Sequence, residues 1–266
     1  METDEVLRLL ENVAEEVIDP RFRSLADGEI HEKRPGDLVT DADREAEKLI
    51  TDALVAAYPD AVILGEEAFA GDPDLMQRYA AADHAFTVDP VDGTKNFVHG
   101  SKDHAVMVAE TLGGQAVRAW IWQPQHRLGY VAERGSGTWR HDAEGAHRLT
   151  IPERGDAPLR GRTSRRKWVG KALDGLPPMA LTWVSCGIDY PKIVEGEADY
   201  ILYRSGAPWD HVPGSLLLAE AGGLLGTTEG EAYSPRDTKP PGLVAAGSPT
   251  AYDHVCRALA SGADPS

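Results

Sequence analysis

Apolar residues recur along the chain first at helical spacing and then in short runs that are typical of strands. The helical spacing predicts one helix over residues 4–18 and another over 41–57, where Ala46, Leu49 and Ile50 share a face. Apolar runs then predict strands near 61–65, 85–89, 104–110, 116–122 and 128–133. Turn residues separate the last three runs, which indicates an antiparallel meander covered by the two helices in a mixed α/β protein.

A second half is predicted after a polar stretch, rich in Pro and Gly, at residues 141–178. Its predicted elements are strands at 181–185, 200–203 and 243–246, a helix over 187–195, and a helix that follows Trp209-Asp210 and closes at Gly222-Gly223. We therefore expect two parts, residues 1–145 and 146–266. The basic triplet Arg165-Arg166-Lys167 in the polar stretch favours a solvated loop face, with contact to a second phosphate of a substrate as the alternative.

Composition narrows the classes of protein. With 266 residues and 42% hydrophobic content, the chain can bury a sizeable core. No run approaches the roughly 20 apolar residues of a membrane span, and residues 1–10 lack the pattern of a secretion signal, so we expect a soluble, cytoplasmic protein without a membrane partner. Cys186 and Cys256 offer neither a disulfide framework nor zinc-site spacing. The net charge of −16 disfavours nucleic acid as a partner, because such binding depends on Lys and Arg.

Candidate chemistry is concentrated in the stretch from Asp89 to Thr94. The apolar run before it is predicted to be a buried strand that stops at Pro90, since proline offers no amide hydrogen. The following loop turns Asp89, Asp92 and the Val91 carbonyl toward one point, a cluster of oxygen atoms that suits a hard divalent cation. The amides of Gly93 and Thr94 are free to face an anion. An Asx-rich turn with solvated acids is the ordinary alternative for two such residues alone.

Further acids come at the ends of other predicted elements. Glu66 and Glu67 follow a short strand, and Asp43 lies at the beginning of the second helix. Asp210 precedes the helix that closes at Gly222, where a capping Asp is the ordinary explanation. Each acid has a simple explanation of its own, but their combination predicts one site.

At these residues the chain resembles the inositol monophosphatase family, magnesium-dependent and lithium-sensitive phosphomonoesterases that include fructose-1,6-bisphosphatase and 3'-phosphonucleotide phosphatases. Four blocks in order, spread over nearly the whole chain, carry the resemblance: 37–43, 65–67, 89–100 and 209–223. The resemblance implies a layered α-β-α-β-α sandwich with metal ions between the halves. Most metal ligands would come from residues 1–145, and residues 146–266 would supply Asp210 and the substrate pocket.

The resemblance also implies roles for individual residues. Two to three Mg²⁺ ions would be held by Glu66, Asp89, the Val91 carbonyl, Asp92 and Asp210. The Gly93 and Thr94 amides would bind phosphate, and Asp43 would pair with the Thr94 hydroxyl to orient the attacking water. Glu67 would assist beside the metal ligands, and a lysine is expected near Lys33, with Arg34 as the alternative.

The implied reaction is hydrolysis of a small phosphate monoester by direct attack of metal-activated water. No Ser, Cys or His lies in a context that indicates a covalent nucleophile. The resemblance further implies that Mn²⁺ can substitute for Mg²⁺, that Ca²⁺ or Li⁺ inhibits, and that the protein is a homodimer.

Substrate identity is left open by the sequence. Inositol-specific relatives carry an acidic residue seven positions before the Trp-Asp aspartate, and here that position is Tyr203, which cannot accept paired hydrogen bonds as a carboxylate does. The segment that usually reads Gly-Ser/Thr-Ala-Ala is Val184-Ser185-Cys186-Gly187, so Ser185, Cys186 and Tyr203 are the candidate substrate contacts. An inositol monophosphate-type substrate, histidinol phosphate and a 3'-phosphonucleotide all remain candidates. A regulatory scaffold that retains the fold is the non-enzymatic alternative.

Overall fold

Two large sheets and one hairpin contain all the strands of the residues that the structure describes. The structure is a computed structural model and describes residues 1–26, 28–204 and 206–261. The strands are β1 (Ile30–Arg34), β2 (Asp37–Thr40), β3 (Val62–Gly65), β4 (His84–Asp92), β5 (Ala105–Leu112), β6 (Gln115–Gln123), β7 (Leu128–Glu133), β8 (Gly137–Asp142), β9 (Gly145–Leu149), β10 (Gly161–Thr163), β11 (Ala180–Leu181), β12 (Tyr200–Tyr203), β13 (Leu224–Thr227) and β14 (Leu243–Ala246). Strands β3 to β9 form a seven-stranded sheet in sequence order, and the order in the five-stranded sheet is β11-β10-β12-β14-β13.

The α-helices cover these sheets. They are α1 (Thr3–Val13), α2 (Asp41–Ala57), α3 (Glu66–Gly71), α4 (Leu75–Ala81), α5 (Thr94–Val98), α6 (Cys186–Val194), α7 (Pro208–Ala221) and α8 (Pro249–Ala260). Helix α1 continues as a π-helical turn, Ala14–Ile18, and short 3-10 turns occupy Asp19–Arg21 and Arg166–Trp168. The two predicted N-terminal helices are thereby confirmed, because their apolar faces are buried against the first sheet.

Burial shows how the layers are stacked. Residues of α1 and α2 pack with Phe86 and Trp120 on one face of the seven-stranded sheet. The opposite face packs against α7, through Ile121 and Leu216 among others. Helices α6 and α7 also contact the five-stranded sheet, whose far face is covered by α8. The predicted α-β-α-β-α sandwich is confirmed, and α6 and α7 form its middle layer.

The end of β4 differs from the prediction. The strand does not stop at Pro90 but runs to Asp92. Asp89 pairs with Met107 and Asp92 with Ala105, so the β4 side of the pairing holds one extra residue between these pairs. Proline is tolerated at such a bulge because the ladder needs no amide hydrogen there. The bulge turns the chain at the position where both aspartates leave the sheet.

Residues 181–185 also differ from the prediction of a strand. The strand β11 ends at Leu181. Val184 has a φ of +62°, a left-handed conformation that breaks an extended strand, and Ser185 precedes the first residue of α6. Strands β8, β9, β10 and β13 were not predicted, because they are short or contain many polar residues.

Within the described part of the chain, no helix has both the length and the apolar character needed to cross a membrane.

Candidate functional site

Four carboxylates meet where β3 and β4 end. The two strands are parallel neighbours, with Gly65 opposite Val88, so Glu66, which follows β3, and Asp89 of β4 lie at the same edge of the sheet. Asp92 follows the β4 bulge, and Asp210 comes from the first turn of α7. The charges of Glu66, Asp92 and Asp210 are the largest electrostatic influences on Asp89. The structure therefore brings together all four side chains that the sequence grouped as metal ligands.

Asp89 is the most enclosed acid of this cluster. It is 1% exposed, and its Oδ1 atom has no hydrogen-bond partner among the described residues. Burial and then the charges of Glu66 and Asp92 raise the pKa of Asp89 well above its usual value. A buried oxygen without a partner is costly in a folded protein unless something else pairs with it. The site thus fits a cation, which would both pair with this oxygen and offset the repulsion between the carboxylates.

Asp92 is held by the beginning of α6. One of its oxygens accepts hydrogen bonds from the Ser185 hydroxyl and, at 2.7 Å, from the Gly187 amide, and the other accepts from the Cys186 amide at 3.1 Å. A Cβ atom at Gly187 would lie 2.4 Å from Ala105, so glycine allows α6 to come this close to β5. Burial nevertheless raises the pKa of Asp92 to about 6, with these hydrogen bonds acting in the opposite direction.

Thr94 and Asp43 are also in contact. The Thr94 hydroxyl lies 3.0 Å from Asp43 Oδ1 and 3.0 Å from the Val91 carbonyl oxygen, and its proton can be donated to either. Asp43 accepts a hydrogen bond from the Thr40 amide at 2.8 Å, and burial raises its pKa to about 7. Gly93 has a φ of +82°, and a Cβ atom there would crowd Ser185 at 3.0 Å, so the loop requires glycine.

Lys33 lies beside the acidic cluster. Its Nζ atom is 2.8 Å from Glu66 and also contacts Glu67. Although burial acts against the charged form, these two carboxylates raise the pKa of Lys33 above its usual value. Arg34 is exposed instead. Of the two cations left open by the sequence, Lys33 is therefore the one in contact with Glu66 and Glu67.

Glu47 was missed by sequence reasoning, although it positions the beginning of α3. Its two carboxylate oxygens accept hydrogen bonds from the amides of Glu67 and Ala68, each at 2.7 Å. Burial raises the pKa of Glu47 to about 7. The available signal was its place four residues after Asp43, since residues at this spacing share a helix face.

Asp189 is a second residue that the sequence did not single out. It is 1% exposed and accepts hydrogen bonds from the Trp183 amide at 2.8 Å and the Tyr203 hydroxyl at 3.2 Å. Burial raises the pKa of Asp189 to about 8. Tyr203, a predicted substrate contact, is therefore hydrogen-bonded to a buried carboxyl group. Nothing in the sequence pairs these two residues.

A cleft of about 240 Å³ opens next to Asp92 and Asp210. Its lining includes all three candidate substrate contacts, Ser185, Cys186 and Tyr203, and also Asp189 and Arg166. Tyr203 is only 3% exposed, and its ring packs against those of Tyr190 and His211. Burial and then the charge of Asp210 raise the pKa of the Cys186 thiol well above its usual value, so this cysteine is not an activated nucleophile.

A sequence model of the inositol monophosphatase family matches residues 2–262. The chain belongs to this family and is a phosphoric monoester hydrolase. Over 74% of its length, and 75% of the relative, it is 34% identical to the inositol-1-monophosphatase of Rhizobium meliloti. It is also 30% identical to the Nus factor SuhB of Pseudomonas aeruginosa, over 74% of both chains.

Solved structures show the same fold. An IMPase of Thermotoga maritima superposes with a TM-score of 0.81 at 23% identity, covering 97% of this chain and 96% of that one. The extragenic suppressor protein suhB of Bartonella henselae gives a TM-score of 0.78 at 25% identity, covering 97% and 98%.

Proposed function

We propose that the protein is a Mg²⁺-dependent phosphomonoesterase that hydrolyses a small phosphorylated metabolite of the inositol monophosphate type. The observation that carries this proposal is the convergence of four carboxylates around a buried Asp89 oxygen that has no partner among the described residues. The ligands would be Glu66, Asp89, the Val91 carbonyl, Asp92 and Asp210, which are oxygen atoms of the kind that Mg²⁺ prefers. Bound ions would neutralise charge on the phosphoryl group, acidify a water and stabilise the leaving alkoxide.

The residues around the metal ligands would position the reactants. When the Thr94 hydroxyl donates to Asp43, its oxygen keeps lone pairs that can accept a hydrogen bond from water and so orient it. Asp43, with a pKa near neutrality, can hold or release a proton behind Thr94. The amides of Gly93 and Thr94 would donate to the phosphate, and Glu67 would help Glu66 to hold Lys33.

The cleft beside these residues supports a small, polar substrate. Its volume is about 240 Å³. Ser185 and Asp189 in its lining can form hydrogen bonds with substrate hydroxyls, and Arg166 can pair with a negatively charged substrate group. Because Tyr203 is 3% exposed, its ring offers little surface for stacking on a base. This favours the inositol-type substrate, with histidinol phosphate and 3'-phosphonucleotides as alternatives. Solved structures with this fold include SaIMPase-II bound to inositol monophosphate, SaIMPase-II bound to 2'AMP, and an IMPase/NADP phosphatase. They indicate which classes of substrate to test.

A phosphate-release assay tests the proposal. The substrates are inositol 1-phosphate, histidinol phosphate, fructose 1,6-bisphosphate and 3'-phosphoadenosine 5'-phosphate, each with Mg²⁺ and with EDTA. Asp89→Asn is expected to lower Mg²⁺-dependent release by at least ~100-fold, the size of losing an electrostatic centre. Asp60→Asn, at an exposed position, is the control and should retain activity. Unchanged release in Asp89→Asn would refute the site, and a regulatory scaffold predicts no release from any substrate.

The same proposal includes inhibition by Li⁺ and Ca²⁺, substitution of Mn²⁺ for Mg²⁺, and a homodimer in the cytoplasm. Ion substitution in the assay above tests inhibition by Li⁺ and Ca²⁺ and the use of Mn²⁺. Sedimentation of the purified protein tests the homodimer. The division of the chain at residues 145 and 146 stays a prediction, which limited proteolysis can test.

A further inference from the structure

A second cavity lies further along α7 than the acidic cleft. Asp210 and His211 of this helix line the cleft, whereas Leu216 and Ala219 line the cavity. The turn between β5 and β6 and residues 233–236 form other walls, and among the described residues none lines both spaces. The cavity has a volume of about 530 Å³, which is within the usual range of small-molecule sites.

The charge of this cavity is opposite to that of the cleft. Arg134 and Arg236 are the only charged residues of its described lining. Neither guanidinium forms an ion pair with a carboxylate of the described residues, although the chain has 43 acidic and 27 basic residues. Arg118 nearby along the sheet is instead paired with Glu110. The cavity therefore presents two positive charges that no acid of the described chain offsets by direct contact.

Backbone carbonyl oxygens hold both guanidinium groups in place. Arg134 donates to the Ala116 carbonyl from Nε at 2.9 Å and from Nη2 at 2.6 Å. Arg236 donates from Nη2 to the Ala82 carbonyl at 3.2 Å. Since a guanidinium has five N–H groups, each arginine keeps at least three for another acceptor. The carbonyls thus orient the two side chains without neutralising their charge.

We propose that this cavity binds a small molecule through an oxyanionic group, a phosphate or a carboxylate, that accepts hydrogen bonds from Arg134 and Arg236. Both groups match the planar fork of arginine through paired, charge-assisted hydrogen bonds. The rest of the lining suits a less polar body, because Leu216 and Leu225 provide apolar surface and Ser234 provides a hydroxyl. This site is additional to the proposed active site and does not rest on the proposed function.

Calorimetric titration in EDTA, with inorganic phosphate and separately with citrate, tests the site. Without metal, the acids of the cleft are expected to repel both anions, so binding reports on the cavity. The wild type is expected to bind at least one of the two anions at one site per chain. Arg134→Gln and Arg236→Gln should each weaken this binding by about 10-fold or more, because each removes a charged hydrogen-bond donor. The anion that binds more tightly identifies the class of oxyanion.

Two further variants distinguish the cavity from other places where an anion could bind. Arg148→Gln, at an exposed position outside the cavity, controls for the loss of any surface charge, and Arg166→Gln controls for binding in the cleft. Both are expected to bind as the wild type does, and near-ultraviolet circular dichroism checks that each variant is folded. Absence of binding to the wild type, an equal loss in Arg148→Gln, or a loss in Arg166→Gln would overturn the proposal.

A second measurement uses the wild type alone and so does not depend on the folding of a variant. Phenylglyoxal modifies accessible arginines, and the extent at each one can be followed peptide by peptide in a mass spectrometer. The bound anion should slow modification of Arg134 and Arg236 and leave that of Arg148 unchanged. Equal rates at all three residues, with and without the anion, would contradict the proposal. Neither measurement requires Mg²⁺ or hydrolysis, so this hypothesis and the proposed function can fail separately.

Discussion

Val184 occupies a backbone conformation that suits glycine. Its φ of +62° is left-handed, a region that a β-branched residue rarely adopts. The conformation is held by neighbouring contacts, since Asn96 donates to the Trp183 carbonyl at 2.8 Å and Ser185 donates to Asp92. The segment 182–185 therefore connects β11 to the aspartate cluster at the expense of local backbone strain.

Comparison of Val184→Gly with Val184→Ala measures this strain. Both variants lose the half-buried Val side chain, so the difference between them reports mainly on the backbone. A left-handed conformation costs an L-residue about 1–2 kcal/mol that glycine avoids. The Gly variant also has an unfolded state of higher entropy, which lowers its free energy of unfolding by about 0.4–1 kcal/mol relative to the Ala variant. The Gly variant is thus expected to be more stable than the Ala variant by about 0.5–1 kcal/mol, the reverse of the usual order in helices and strands.

Urea unfolding of both variants in EDTA is the assay, because bound metal would add its own stabilisation. For a chain of this size the expected difference in Tm is about 1–4 °C, measured in parallel. Equal stability, or a more stable Ala variant, would refute the argument that Val184 is strained.

Two further predictions concern the buried acids. Glu47→Gln retains the shape of the side chain but replaces one accepting oxygen, so the beginning of α3 and Glu66 should shift. We therefore expect the Mg²⁺ concentration for half-maximal activity to rise by about 10-fold. The exposed substitution Glu45→Gln is the control. In the metal-free protein, the pKa values of Asp43 and Asp189 are raised to about 7 and about 8. The folded state therefore binds more protons than the unfolded state between pH 4 and these values, and Tm should fall as pH rises from 5 to 8. Scanning calorimetry checks the slope, and a Tm that rises over this range would contradict the burial argument.

Local patterns were sufficient to predict the parts of the fold that depend on periodicity. The helices that begin near residue 4 and at Asp41 have long amphipathic faces, and the meander has turn residues between its strands. The end of β4 was predicted too early, because the bulge at Pro90 depends on the pairing with β5 and not on the local sequence. The strand expected at 181–185 was wrong for a similar reason, since the left-handed Val184 is imposed by contacts with distant residues.

The same distinction applies to the site. Glu66, Asp89, Asp92 and Asp210 could be grouped from the sequence because each lies where a predicted element begins or ends. The roles of these four residues as metal ligands remain predictions, which the assays above test.

The two missed acids could not be found in this way. Glu47 lies inside a helix and meets amides 20 residues further along the chain. Asp189 also lies inside a helix, and its pairing with Tyr203 joins α6 to β12. Such contacts exist only once the layers have packed.

The negative charge of the cleft bears on the order in which a cation and a phosphate ester would bind. Two carboxylates 4 Å apart repel by about 4 kcal/mol at an effective dielectric constant near 20, and a phosphate dianion would be repelled by the same groups. Of the described residues that line the cleft, Arg166 is the one with a permanent positive charge, while Lys33 is engaged by Glu66 and Glu67. The ionised acids of the cleft are therefore expected to attract cations and to repel phosphate esters. Under the proposed function, bound cations would have to precede the anionic substrate, because they would offset this repulsion.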